Sequence, residues 1–169
     1  TAAAVALAAE AIERPDDEVM IVLAADAHIA DEEGFRAALT AAAEVASAGF
    51  LVSLGVTPDH PETGYGYVLA RPPALEVAGR PTFAVDRFVE KPTAEYAAEL
   101  IATGLASWNA SIFAWTRATI RHRLARHALD ILGPIRAICA SGTRADLEAA
   151  YPSIRATSID YAVMEPASV

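Results

Sequence analysis

The chain is short of lysine, cysteine and positive charge, and each shortage excludes something. Of 13 basic residues only Lys91 is a lysine, and 22 acidic residues leave a net charge of -9. Binding to a nucleic-acid backbone runs on clustered positive charge, so no nucleic acid is expected as partner. Cys139 is the single cysteine, which excludes an internal disulfide and a cysteine metal cluster and fits a cytoplasmic protein. No uncharged apolar run reaches the ~18 residues of a membrane span, so no membrane partner is expected. The stretch Thr1 to Glu10 lacks the positive flank of a secretory signal. What the sequence does have is 169 residues that are 54% hydrophobic, much of it alanine, enough for one globular domain with a real core.

Hydrophobic patterning gives an α/β reading. Ala2 to Ile12 is a strong helix former, apolar nearly all round. Val19 to Ala25 is a continuous apolar run ending at Asp26, which suits a strand buried on both faces. Asp31 offers a helix cap, Phe35, Leu39, Ala42 and Ala46 recur at helical spacing, and Gly49 ends the helix. A second buried run, Phe50 to Val56, completes a βαβ pattern, which favours a parallel sheet. Beyond it the spacing predicts strands at Gly64–Leu69, Phe83–Val89 and Trp108–Trp115, the first two separated by a Pro- and Gly-bearing hairpin region around Arg71 to Arg80. Thr93 caps a helix that runs to Thr103 before Gly104. Further helices are expected at Arg117–Leu129, Leu132–Ala140 and Arg144–Tyr151, the last opened by Thr143 and Asp146 at capping-box spacing.

Several short stretches carry candidate chemistry. Asp26 stands where ligands bind in open α/β sheets, just past a strand, and a carboxylate there is either a hard ligand for Mg²⁺ or a solvated loop acid. In Glu62-Thr63-Gly64-Tyr65-Gly66-Tyr67 the glycines let the backbone approach a ligand, and tyrosine hydroxyls can bind sugar hydroxyls; a tight turn explains the same residues. Phe88-Val89-Glu90-Lys91-Pro92 holds the lone lysine, a compact charge suited to one phosphate, beside an acid that can accept from sugar hydroxyls. Its plain alternative is a surface ion pair. Asn109, within Trp108-Asn109-Ala110-Ser111, needs a partner if buried. Asp160 stands beside the apolar run Tyr161-Ala162-Val163-Met164. His28 and His60 read as loop histidines, and His122 and His127 lie five apart, off the spacing of a helical zinc pair.

Taken in order, these pieces resemble the mannose-1-phosphate guanylyltransferases along nearly the whole chain. Leu23-Ala24-Ala25-Asp26, Pro61 to Tyr67, Phe88 to Pro92, Trp108 to Ala110 and Ile159 to Val163 follow the order of that family. The resemblance implies a Rossmann-like nucleotidyltransferase fold: a mostly parallel mixed sheet flanked by helices, in a single partial domain over 1–169. Residues 1–60 would form its nucleotide- and metal-side βαβ, and 61–169 its sugar-phosphate part. It implies nucleotidyl transfer, in which mannose 1-phosphate attacks the α-phosphorus of GTP and pyrophosphate leaves. Asp26 and Asp160 would be the Mg²⁺ carboxylates and, with Lys91, the catalytic set. Gly64, Tyr65, Gly66, Glu90, Lys91 and Asn109 would bind the sugar phosphate.

The family's glycine-rich triphosphate signature is not found in the sequence. The chain is therefore expected to be an interior segment, inactive or nearly so alone. Alternatives to the guanylyltransferase reading are a nucleotidyltransferase for another sugar 1-phosphate, such as glucose 1-phosphate, and a non-catalytic sugar-phosphate-binding module. A homo-oligomer is left open.

Overall fold

A computed structural model describes residues 1–168. The chain forms two compact units, one of Thr1–Met20 with Thr116–Ala167 and the other built on Ile21–Trp115.

The first unit is helical. Helix α1 (Ala2–Ala11) is alanine-rich, the composition of highest helix propensity. Ala2, Ala6 and Ala9 are fully buried on one face. Side chains this small allow close approach to α4 (Arg117–His127) and α5 (Leu129–Ser141), which contribute Ile120, Leu124, Ile131, Leu132 and Ile135 to the core. Thr116 caps α4 through the Thr119 amide, and Thr143 caps α6 (Arg144–Ala150) through the Asp146 amide. Gly142, with φ of 69°, ends α5 in the left-handed region. Past a short 3₁₀ turn (Tyr151–Ser153), Asp160–Met164 form one turn of π-helix leading into the short α7 (Glu165–Ala167). Its entry is fixed by the buried Ile159, whose amide donates to Thr1 Oγ1 at 3.0 Å. Ala162, Val163 and Met164 are buried behind Asp160.

A charge network closes this unit. Glu10, whose side chain is only 9% exposed, accepts from Arg121 Nε at 3.0 Å and Arg136 Nε at 3.1 Å, and Arg121 also reaches Asp16. Arg117 donates to the carbonyls of Ile12 and Arg14 just past α1. Burial pushes the Glu10 carboxyl up, but the hydrogen bonds and charges of Arg121 and Arg136 outweigh it and hold the group below its usual range. A carboxyl held low when folded stabilises fully above its unfolded pKa and loses that contribution as pH falls through its folded value. Glu10→Gln is expected to cost about 2 kcal/mol at neutral pH. In thermal melts the gap between variant and native protein should close as pH drops below the ordinary carboxylate range; a gap independent of pH would contradict this.

The second unit is a five-stranded sheet with two helices. Its strands are β1 (Val19–Val22, of which Ile21 and Val22 fall here), β2 (Val52–Val56), β3 (Gly66–Val77), β4 (Arg80–Glu90) and β5 (Ala106–Thr116). The order is β1-β5-β3-β4, with β2 also paired to β5. Helix α2 (Glu32–Ser47) packs on β2, β3 and β4, its start capped by the Asp31 carboxylate accepting from the Gly34 amide at 2.9 Å. Helix α3 (Ala94–Ala102) is capped by Thr93, and Gly104 follows it with φ of 67°. Tyr67, Leu69, Ala97, Leu100 and Ala106 form a buried cluster flanked by Val89, Ile101 and Trp108.

The α/β class matches the sequence reading, but the strand directions differ from the mostly parallel sheet expected. The pairings β2–β5, β3–β4 and β3–β5 all run antiparallel. A two-residue turn, Ala78-Gly79, joins β3 to β4, and a connection so short can only serve antiparallel neighbours. The βαβ run leads to a β2 that pairs with β5, a strand more than fifty residues later, and local patterning holds no trace of such a partner. The hairpin expected around Arg71 to Arg80 is present, with its prolines inside β3; Pro72 and Pro73 donate no amide, and the register shifts between Leu69 and Ala70 and again between Arg71 and Leu75. The two continuous apolar runs are not covered on both faces either. Leu23 is 51% and Phe50 61% exposed, both lying outside the paired strands.

Candidate functional site

Three strands of the second unit bring the sugar-site candidates together. Gly66 opens β3 directly across from Glu90, the last residue of β4, and the next residue, Tyr67, pairs with both Val89 and Trp108. Asn109 follows Trp108 on β5. The lack of a side chain matters here: a Cβ on Gly66 would stand 2.6 Å from Glu90 Oε2, the end of a flexible side chain, and 3.7 Å from the Asn109 Cβ. The missing side chain leaves room for the Glu90 carboxylate, with Asn109 on the same face.

Each polar group is positioned by its neighbours. Asn109 Oδ1 accepts from Ser53 Oγ at 3.2 Å and from the Ser111 amide at 3.0 Å. Ser111 has a φ of 53°, and the β2–β5 register slips between Ser53 and Gly55, so β5 is bent at this point. Lys91 leaves β4 with a φ of 44°, its amide bonded to the Tyr65 carbonyl at 3.2 Å and its Nζ 3.7 Å from Glu90 Oε1. A non-glycine residue in the left-handed region costs about 1 kcal/mol, which the Tyr65 bond and the Thr93 cap beyond Pro92 help to offset. The lysine thus sits at the mouth of the Gly66 cradle with an exposed ammonium.

The opposite face of the same strands, the one Tyr67 occupies, is aromatic. Trp108 meets Tyr65 edge-on at 5.4 Å and His60 edge-on at 4.9 Å. The loop before β3 is braced by Glu62: its carboxylate accepts from the Gly64 amide at 2.7 Å, and its carbonyl accepts from the Tyr67 hydroxyl at 2.9 Å. The Gly64 amide, followed by the His60 ring, holds the Glu62 carboxyl below its ordinary range. Asp59 first, then Glu62, push His60 up. An open cradle with acid, amide and ammonium groups can take a hydroxyl-rich ring carrying one phosphate.

Gly64, Tyr65, Gly66, Glu90, Lys91 and Asn109 are therefore brought into one place. Asp26 belongs to the same unit and stands exposed in a turn four residues past β1, while Asp160 belongs to the other unit at the first π-helical residue. Magnesium is commonly held by one or two carboxylates with substrate phosphates completing the shell, and two aspartates are the donor chemistry that ion takes. Among the described residues no group of three or more His, Cys, Asp or Glu forms a metal cage. Sequence reasoning missed the roles of His60 and Ser53. His60 carried a signal, standing between Asp59 and Glu62; Ser53 carried none, since its partner Asn109 lies 56 residues away.

Glu90 at the end of the edge strand β4, Lys91 just past it and Asn109 on β5 thus surround Gly66 at the start of β3. The chain belongs to the nucleotidyl transferase family, which it matches over residues 1–150. It is 40% identical over 174 residues to the mannose-1-phosphate guanylyltransferase of Escherichia coli K12, covering 98% of this chain and 36% of that protein. It is 39% identical over 172 residues to the xanthan biosynthesis protein XanB of Xanthomonas campestris strain B100, with 98% and 35% covered. Among solved structures, one described as a mannose-1-phosphate geranyltransferase from Thermus thermophilus superposes with a TM-score of 0.84 at 35% identity, over 98% of this chain and 47% of that one. A Helicobacter pylori structure described as a mannose-6-phosphate isomerase gives 0.79 at 27% identity, over 98% and 64%. The chain spans about 36% of the length of the first curated relatives it matches. No described helix is long and apolar enough to cross a membrane.

Proposed function

We propose that this chain carries the sugar-phosphate part of an enzyme that transfers GMP from GTP to mannose 1-phosphate, giving GDP-mannose and pyrophosphate in the cytoplasm. The observation that carries it is the cradle in which Gly66, Glu90, Asn109 and Lys91 converge. Glu90 accepts hydrogen bonds from ring hydroxyls, Asn109 donates to them from its amide nitrogen, and Lys91 pairs with the 1-phosphate. So held, a phosphate oxygen attacks the α-phosphorus of GTP, the α–β anhydride bond breaks, and pyrophosphate departs with its electron pair. The protein's part is to fix the nucleophile in line and keep its charge matched, effects that lower such barriers by several kcal/mol. Asp26 and Asp160 are the carboxylates assigned to Mg²⁺, which when bound neutralises charge on the phosphate oxygens.

The test is pyrophosphate release by the intact protein from GTP with mannose 1-phosphate, run beside glucose 1-phosphate and the other nucleoside triphosphates. Preference for a different pair would redirect the assignment, and absence of release from every pair would end it. Within that assay, Lys91→Ala is expected to raise KM for the sugar phosphate about 10-fold with a smaller change in kcat, because it removes a ground-state contact to phosphate. Unchanged KM and kcat would take Lys91 out of the site.

A further inference from the structure

The loop before β3 contains an arrangement that the sugar contacts do not use. His60 places Nδ1 2.6 Å from Asp59 Oδ1 and Nε2 3.4 Å from Glu62 Oε2, so each ring nitrogen faces a carboxylate. A neutral imidazole has one N–H and one lone pair, and only the imidazolium donates from both nitrogens. Two flanking carboxylates therefore select the charged ring, in agreement with the upward displacement that Asp59 and Glu62 impose on it. The same Glu62 carboxylate holds the Gly64 amide with its other oxygen, and the His60 ring packs edge-on against Trp108. Asp59 and Glu62 are the charged groups bearing on His60; the surface it meets on β5 is the uncharged indole.

We propose that His60 is a positioning residue for the sugar-phosphate cradle: its imidazolium clamps Asp59 and Glu62 and, through Glu62 and Trp108, sets the Gly64 amide and the Tyr65 segment that leads into Gly66. Loss of the proton leaves a lone pair facing one of the two carboxylates. The clamp opens on that side, and Glu62 no longer has a fixed purchase from which to hold Gly64. Because Tyr65 and Gly66 follow immediately, the loosened segment is the one that lines the sugar. The inference rests on the cradle reading above, and it predicts an effect on substrate affinity rather than on the chemical step.

Two measurements on the intact protein test it. In the first, steady-state KM for mannose 1-phosphate is followed from pH 6 to 9 in the native protein, His60→Gln and His60→Arg. The native KM is expected to rise about fivefold as His60 loses its proton. His60→Gln should show the raised KM at every pH with kcat within about twofold, and His60→Arg, which keeps the charge and two donors, should hold a low KM across the range. Parallel pH profiles in all three overturn the proposal. In the second, NMR follows the His60 ring and the Gly64 amide without substrate. The two should titrate with one midpoint, which Glu62→Gln should uncouple; a Gly64 resonance indifferent to the His60 titration also overturns it. If no sugar 1-phosphate is turned over, the functional reading fails, while this second measurement still decides whether the clamp exists.

Discussion

Gly66→Ala is expected to raise KM for the sugar 1-phosphate by about 30- to 100-fold while the melting temperature moves by only a few degrees. The added methyl would arrive 2.6 Å from Glu90 Oε2, closer than non-bonded atoms tolerate, and something must give. What it meets is the far end of a flexible side chain at the rim of the sheet, so the fold yields cheaply by swinging the carboxylate aside. That carboxylate is the group assigned to the ring hydroxyls, and its Oε1 lies 3.7 Å from Lys91 Nζ. One methyl group thus displaces an acceptor and disturbs its cation together. Urea or thermal unfolding measured beside kinetics separates the cases: equal loss of stability and activity would mean the position is merely structural, and unchanged kinetics would mean the cradle is not where the sugar sits.

Asp26→Asn and Asp160→Asn are each expected to lower kcat by about 10²- to 10³-fold, with the folded state essentially intact. The substitution is isosteric and removes one negative charge. Asp26 is exposed in a turn, where exchange of carboxylate for amide costs the fold little. Asp160 begins a π-helical turn in which Ala162, Val163 and Met164 are buried, just after the buried Ile159. Single turns of π-helix often occur at functional sites, because the extra residue re-aims a side chain. The assay is Mg²⁺-dependent pyrophosphate release across a magnesium titration. An aspartate whose replacement leaves both turnover and the magnesium requirement unchanged is not a ligand, and each of the two is judged separately.

Local structure was largely legible in the sequence, and long-range pairing was not. Asp31, Thr93 and Thr143 each cap the helix they precede, because a cap is decided within three residues. Sheet direction is decided elsewhere: the register of β2 depends on β5, and that of Gly66 on a hairpin closing some twelve residues away. Among the site residues, the Gly64 to Tyr67, Glu90-Lys91 and Trp108-Asn109 motifs could each be read alone. Their convergence needed the β4–β3–β5 register, which aligns Glu90 with Gly66 and Trp108 with Tyr67. The roles of Ser53 and His60 stayed hidden for different reasons. Ser53 acts across strands, whereas His60 has its signal in the nearby Asp59 and Glu62, which a loop setting alone does not reveal as contacts.

The β3–β4 hairpin has a base and an arm, and the two are mechanically distinct. The cradle occupies the base, where Gly66, Glu90 and the strand β5 are laced together, whereas the arm beyond Arg71 carries a register slip at its two prolines before reaching Ala78-Gly79. A slip of that kind absorbs changes in length, since strain introduced at the tip is spent before it reaches the paired residues below. Insertions, fused peptides or a shortened tip can therefore be accommodated in the arm without repositioning Glu90. A second slip, between Leu69 and Ala70, stands at the top of the base, so only Tyr67 to Leu69 keep an unbroken register with both β4 and β5.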